Sequence, residues 1–251
     1  MDWVYNGLTV QSIDMTNVDT VQESGRPAAE GPRDSYDPVP AVIDWLVGLI
    51  TGVIGLVLTA IGVGMYTQID RAMITEAVTE EGVELNGLTE SELITAAGQF
   101  IDWLTVGIVL TGIISVVGAA AFVVVRRRTR HQVAEEGGTT ATFRACAVYG
   151  AVVTALVSFI PGSAAVGGGA AAYLHDGDSV RAGTAAGVVG TVLTIPLVAF
   201  LAVGVIAAAG AVGELAGGVL LAVLVIGAEL VALVVNAGLG ALGGFLVVRF
   251  G

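Results

Sequence analysis

Apolar positions in this chain fall in long unbroken runs, not in the alternations of a soluble domain. Uncharged stretches cover residues 45–69, 103–125, 145–174, 182–213, 215–228 and 230–248. A helix needs roughly 20 apolar residues to cross the hydrocarbon core, and several of these runs are that long. The pattern predicts an all-α, polytopic transmembrane protein. It has a two-span N-terminal hairpin and a Gly/Ala-rich C-terminal helical bundle with short broken helices.

Residues 1–37 are polar, rich in Pro, Gly and Ser toward their end, and too poor in apolar side chains to build a core. They read as a disordered tail with a short extended stretch at 3–10, and not as a secretory signal peptide. Asp37-Pro38 then has the form of a helix start. Trp45 and Tyr66 are placed as interface anchors about 31 Å apart on a helix. Helical spacing of apolar residues continues beyond Tyr66 toward Gly82, and Asn86-Gly87 reads as a turn. Thr89-Glu90-Ser91-Glu92 is a capping box flanked by Leu88 and Leu93 as a hydrophobic staple. The helix it starts runs past a third anchor, Trp103, to the cluster Arg126, Arg127, Arg128 and Arg130. Residues 38–131 thus form a transmembrane hairpin with an acidic tip at 70–92. The arginines act as topology determinants, placing the N-terminus and a linker at 132–142 in the cytoplasm and the tip outside the cell membrane.

A second membrane region, 143–251, follows. A span at 143–160 is ended by Pro161-Gly162, and 163–174 is about 18 Å as helix, too short to cross. Beyond a polar loop at 175–178, residues 179–210 form a long span interrupted by Pro196. A last span at 215–235 is broken by Asn236-Ala237-Gly238 before a short tail helix at 239–250. This gives about three full spans and one or two short helices, with a full-span-then-short-helix plan appearing twice. The competing topology makes 145–174 one kinked span and inverts everything after it. Gly48/Gly52, Gly183/Gly187, Gly213/Gly217 and Gly240/Gly244 have the spacing that lets helices cross closely.

Charge changes the picture of the surroundings. The chain has 22 Asp+Glu against 10 Lys+Arg, and all ten bases are Arg. An acidic surface without lysine suits very concentrated salt, where repulsion between carboxylates is screened, so the expected source is an extreme halophile, a haloarchaeon. The single basic patch flanks a span, which disfavours a nucleic-acid partner. One cysteine, Cys146, lies in an apolar run and reads as a small hydrophobe.

The stretch from Ala155 to Gly162 (ALVSFIPG), then Gly167 to Leu174 (GGGAAAYL), then an acidic turn before Arg181-Ala182-Gly183, resembles a family of small haloarchaeal multi-spanning membrane domains of unknown function. In that family a span ends in Phe-x-Pro, a Gly-rich short helix ends in Tyr-Leu, and a Gly-Asp turn leads into the next span. The resemblance covers about residues 143–250, leaves out the N-terminal hairpin, and implies no chemistry.

Candidate chemistry is sparse. Glu229 stands alone in the last apolar stretch, where a carboxylate is costly unless it faces other helices or water. With Asn236 and the hydroxyls of Thr191 and Thr194 it forms a candidate intramembrane polar site, for a proton or cation or as plain interhelical glue. Ile43-Asp44-Trp45-Leu46 recurs as Ile101-Asp102-Trp103-Leu104, which helix-start and interface preferences explain. His175-Asp176-Gly177-Asp178 lacks the rest of a calcium loop, and Ser163 lacks a preceding strand and a base. No metal or cofactor is expected and no catalytic residue is assigned. The leading expectation is a non-enzymatic membrane scaffold or interaction protein, meeting the bilayer, another copy or a membrane-protein partner through the acidic tip. The alternative is a small-solute or ion transporter or channel that uses Glu229 and the helix breaks near Pro161 and Asn236.

Overall fold

The computed structural model describes residues 39–80, 87–136, 138–175 and 177–250, and those residues are helical with no strand among them. The polar tail and the Asp37-Pro38 start lie outside the described residues. Eight helices follow in order: α1 (Ala41–Gln68), α2 (Arg71–Glu80), α3 (Glu90–Glu136), α4 (Phe143–Leu156), α5 (Ser163–Leu174), α6 (Ser179–Val192), α7 (Ile195–Ala211) and α8 (Leu215–Phe250). Four stretches are long and apolar enough to cross a membrane: Ala41–Gln68, Glu90–Glu136, Ser179–Ala211 and Leu215–Phe250. The protein is an all-α, multi-pass membrane protein, and the lipid bilayer is its environment.

The hairpin forms as the sequence predicts, with changes at its ends. α1 stops at Gln68 and does not run on toward Gly82. The Asp70 carboxylate accepts from the Met73 N–H at 2.9 Å, so it starts a new helix, α2, where the old one would have continued. The capping box at the start of α3 is formed: Thr89 donates its N–H and hydroxyl to Glu92 at 2.8 and 2.7 Å, and the Glu92 N–H returns to the Thr89 hydroxyl at 3.3 Å. α3 then runs unbroken for 47 residues, through the first part of the expected linker. At 1.5 Å per residue it is about 70 Å long, more than twice the hydrocarbon thickness. α1 and α3 touch backbone to backbone, since a Cβ on Gly55 would lie 2.6 Å from the Gly112 carbonyl oxygen.

The second region departs further from expectation. The span placed at 143–160 is 14 residues of helix, α4, and the 12-residue α5 folds back against it. Gly162, at φ 85°, supplies the left-handed turn that Pro161 leads into. A Cβ on Gly150 would meet both the Gly167 carbonyl and the Ala171 side chain, while Gly167 lies against Thr154, which is an antiparallel register. Both arms end at one pole of the molecule. Tyr149, Ala145 and Cys146 of α4 pack there with Val39 and Val47, and Leu174 of α5 lies against the same core. So α4 and α5 make a short hairpin whose arms, about 21 and 18 Å long, are each shorter than the hydrocarbon thickness of about 30 Å. The backbone of its turn satisfies itself with short-range bonds, such as Ile160 N–H to the Val157 carbonyl at 2.9 Å.

Only two full crossings follow, α6 with α7, and α8. The helix interrupts at Leu193-Thr194, just before Pro196, as the proline predicts. No break occurs at Asn236: α8 is continuous for 36 residues, and the proposed tail helix is its last turns. Asn236-Ala237-Gly238 is weak helix sequence, but packing overrides it. A Cβ on Gly168 of α5 or Gly183 of α6 would collide with the Gly240 carbonyl, and one on Gly187 would collide with that of Asn236. These contacts hold three helix backbones together through the region where a break was expected. The repeated plan of span, break and short helix is therefore absent. α3 packs on α7 as well as on α1, Trp103 stacking on Phe200 with ring centroids 6.1 Å apart, so the hairpin and the second region share a helix interface.

Candidate functional site

Two polar clusters stand at different depths. The first is at the base, where α1 begins and α3 leaves the apolar zone. Arg126 and Arg130 are one turn apart on α3, so both reach the same neighbour. That neighbour is Asp44, in the first turn of α1. Arg126 Nε donates to Asp44 Oδ1 at 2.8 Å and Arg130 Nε to Oδ2 at 2.6 Å. The Tyr149 hydroxyl of α4 also donates to Asp44 Oδ1. Each guanidinium also holds backbone: Arg126 Nη1 donates to the Thr140 carbonyl at 2.7 Å, and Arg130 Nη2 to the Val39 carbonyl at 2.7 Å, while Arg126 Nη2 is buried without a hydrogen-bond partner. Asp44 is 4% exposed and Arg126 3%. Phe122 packs edge-on against Tyr149 and closes the cluster from the apolar side.

This cluster ties the start of α1, the end of α3, the linker and α4 to one carboxylate. Two of the four arginines assigned to topology thus also serve as internal ties. Arg127 and Arg128 stay exposed, Arg127 with its guanidinium 4.7 Å from the centre of the Trp45 ring. Sequence reasoning missed Asp44 by explaining it through the helix dipole. The available signal was that Asp44 is the sole acid in the first span's apolar segment, at the same membrane face as four arginines.

The second cluster holds the four residues singled out in the sequence. Thr191 and Thr194 flank the α6/α7 break, and Glu229 and Asn236 lie two turns apart on α8. Asn236 Nδ2 donates to Thr191 Oγ1 at 3.0 Å, and Thr191 Oγ1 to the Gly187 carbonyl at 3.1 Å. Thr194 Oγ1 lies 2.6 Å from the Thr191 carbonyl oxygen and makes a further hydrogen bond with Glu229 Oε1. The structure therefore joins all four through two hydroxyls, at the Pro196 break and not at Asn236.

Register fixes the depth of this cluster. Gly183 meets Gly240 and Gly187 meets Asn236; the same antiparallel register, carried two turns on, brings Thr194 to Glu229. α7 runs antiparallel to α3, with Gly204 against Trp103 and Gly107 against Phe200. Carried to Thr194, that register reaches the level of Ile113, about 15 Å from Trp103 and about 20 Å from Arg126 along α3. Gly150 lies against Ala186, so α4 and α6 end at one level, and the turn at 157–162 closes there too. The α4/α5 turn, the α6/α7 break and Glu229 thus converge at one level, roughly midway between Trp103 and Arg126 along α3.

The remaining candidates carry no site. The Asp178 carboxylate caps α6, accepting from the Arg181 N–H at 3.1 Å; Asp176 lies outside the described residues. Ser163 is the first residue of α5. No group of three or more His, Cys, Asp or Glu side chains that could hold a metal ion occurs among the described residues. At the tip, none of the residues of α2 is buried, and an open cleft between α2 and α3 is lined by Arg71, Thr75, Thr89, Glu90, Ser91 and Ile94. No protein-family model, curated protein or solved structure matches the chain.

Proposed function

We propose that the protein is a non-enzymatic membrane scaffold of an extreme halophile, presenting the α2/α3 tip to a partner protein outside the cell membrane. One observation carries this reading. α3 is about 70 Å long, so its first turns, with α2 packed beside them and none of its residues buried, stand clear of the hydrocarbon. The helices beneath are locked by backbone contacts and by the Asp44 ion pairs, which suits a fixed platform. The exposed arginines at the base favour a cytoplasmic N-terminus, because basic flanks of a span are retained on that side. The resemblance to haloarchaeal membrane domains over residues 143–250 agrees with the same setting.

The test is purification in mild detergent and multi-molar salt, followed by native mass spectrometry of wild type and of a variant with 71–80 replaced by a Gly/Ser linker. A stoichiometric partner that is lost only in the variant supports the scaffold, and a partner retained by both sinks docking through the tip. Orientation is checked with cysteines introduced at Thr75 and Glu135, since Cys146 is fully buried and silent to an impermeant maleimide. A second reading, transport of a proton or small cation, is favoured by the cluster around Glu229 at the α6/α7 break. Its test is ion flux in liposomes containing wild type or Glu229→Gln.

A further inference from the structure

The seam between α1 and α3 changes character where it leaves the apolar zone on the tip side. Gly62 lies against Val109, and the same antiparallel register carries on to Tyr66 beside Thr105 and Ile69 beside Asp102. Two open recesses follow the seam in that order. The inner one, about 340 Å³, is lined by Val63 and Tyr66 of α1 and by Val106, Val109 and Leu110 of α3, with Thr105 at its head. The outer one, about 250 Å³, lies where α2 meets α3. Its walls are isoleucines of both helices, and its polar groups are Arg71, Thr95, Gln99 and Asp102.

The two recesses are continuous in chemistry as well as in place. Gln99, Asp102, Val106 and Val109 follow one another on α3 at spacings of three and four, so they share one face of that helix. The switch from polar to apolar along this face falls at the level of Tyr66 and Trp103, and such aromatic side chains sit among lipid headgroups. Arg71 and Asp102 are both exposed, and among the described residues neither side chain has an ion pair or a hydrogen bond. Unpaired charges are ordinary on a surface facing water. These two stand at headgroup level, directly over an apolar groove that opens to hydrocarbon.

We propose that the two recesses form one binding site for a phospholipid of the tip-side leaflet, with a hydrocarbon chain along the inner groove and the headgroup in the outer cleft. Arg71 donates to the phosphate, which the planar fork of a guanidinium suits. The Asp102 carboxylate and the Gln99 side-chain carbonyl accept from hydroxyls of the headgroup. A phosphoglycerol headgroup therefore answers both charged side chains, one through its phosphate and one through its hydroxyls. A phosphocholine headgroup carries the phosphate but has no hydroxyl to donate. The site goes beyond the scaffold reading and stands whatever docks at the tip.

The experiment is native mass spectrometry of the delipidated full chain in mild detergent, supplied with phosphatidylglycerol or phosphatidylcholine at equal concentration. The expected result is one phosphatidylglycerol retained per chain, in preference to phosphatidylcholine. Arg71→Gln loses a charge-assisted contact and should weaken retention about tenfold. Val106→Trp fills the inner groove from an exposed position and should weaken it as much without touching the headgroup cleft. Both side chains are exposed and unbonded, so both variants fold. Arg128→Gln, at an exposed arginine of the base, should change nothing, and soluble glycerol 3-phosphate should not displace the lipid. Unchanged retention in either Arg71→Gln or Val106→Trp would overturn the proposal, as would equal retention of the two lipids. An equal loss in Arg128→Gln would mean general attraction to arginine, and displacement by glycerol 3-phosphate would mean a site for a free solute; either result also overturns it.

Discussion

The two polar clusters solve one problem in opposite ways. At the base, Asp44 is buried but answered by two guanidinium groups, a phenol and the framework around them. At the level of the α6/α7 break, Glu229 is half-buried and bonded to the Thr194 hydroxyl, with Thr191 and Asn236 beyond it. Ion pairing is used where helix ends meet the interface and charged side chains can be assembled without crossing hydrocarbon. Hydrogen bonding to threonine is used where charge would be costly on every side. The first arrangement holds helices in place.

Breaking the first cluster should cost most. Asp44→Ala strands two guanidinium groups in a buried site, and loss of one partner from a buried pair typically costs about 3–5 kcal/mol. The expected outcome is a large fall in thermal unfolding temperature in detergent, with α4 and the linker opening first in hydrogen exchange. A loss under about 1 kcal/mol would mean that the pair is solvated and not a tie. Combining Asp44→Leu with Arg126→Met and Arg130→Met should recover much of the stability, because apolar replacement of a whole buried ionic group is often neutral. Tyr149→Phe should come next, at about 1.5–3 kcal/mol for a hydrogen bond to a charged group. It removes only the phenol oxygen and keeps the ring against Phe122.

Gly240→Ala tests whether the second cluster depends on register as the first depends on charge. The added methyl would meet the Gly183 carbonyl and the Gly187 backbone, so α6 and α8 have to shift. Overpacking of this kind costs about 1–3 kcal/mol. The sharper readout is local: Glu229 should part from Thr194, so Thr194→Val should cost less in Gly240→Ala than in the wild type. An unchanged cost of Thr194→Val in a destabilised Gly240→Ala protein would show that the cluster holds its own geometry.

How much of this was legible follows the physics of each signal. Span existence is carried by long apolar runs, and the capping box at Thr89–Glu92 by local hydrogen-bonding chemistry, so both were readable. The grouping of Glu229, Asn236, Thr191 and Thr194 was readable because polar side chains in hydrocarbon have few partners but one another. Two errors share one cause. The short α4/α5 hairpin and the unbroken α8 are decided by backbone contacts between Gly150 and Gly167 and between Gly168, Gly183 and Gly240. A glycine in the sequence looks alike whether it breaks a helix or lets another approach. The Asp44 cluster escaped for a related reason: Tyr149 and Asp44 are 105 residues apart, and helix-start preference already offered a sufficient local explanation.

The smallest effect should come from Asn236→Leu. Interhelical hydrogen bonds in membranes average about 0.6 kcal/mol, because the separated helices find other partners for the same groups. Asn236 donates only to Thr191 Oγ1, which keeps its own bond to the Gly187 carbonyl. Stability should therefore fall by about that amount, within reach of a thermal-shift comparison done in replicate. The informative part is the pairing with Thr194→Val. Thr194 bonds Glu229 and the Thr191 carbonyl, whereas Asn236 reaches Thr191 through its hydroxyl, so the costs of Thr194→Val and Asn236→Leu should add in the double variant. A coupling above about 0.5 kcal/mol between the two substitutions would instead mean that the two pairs form one network through Thr191.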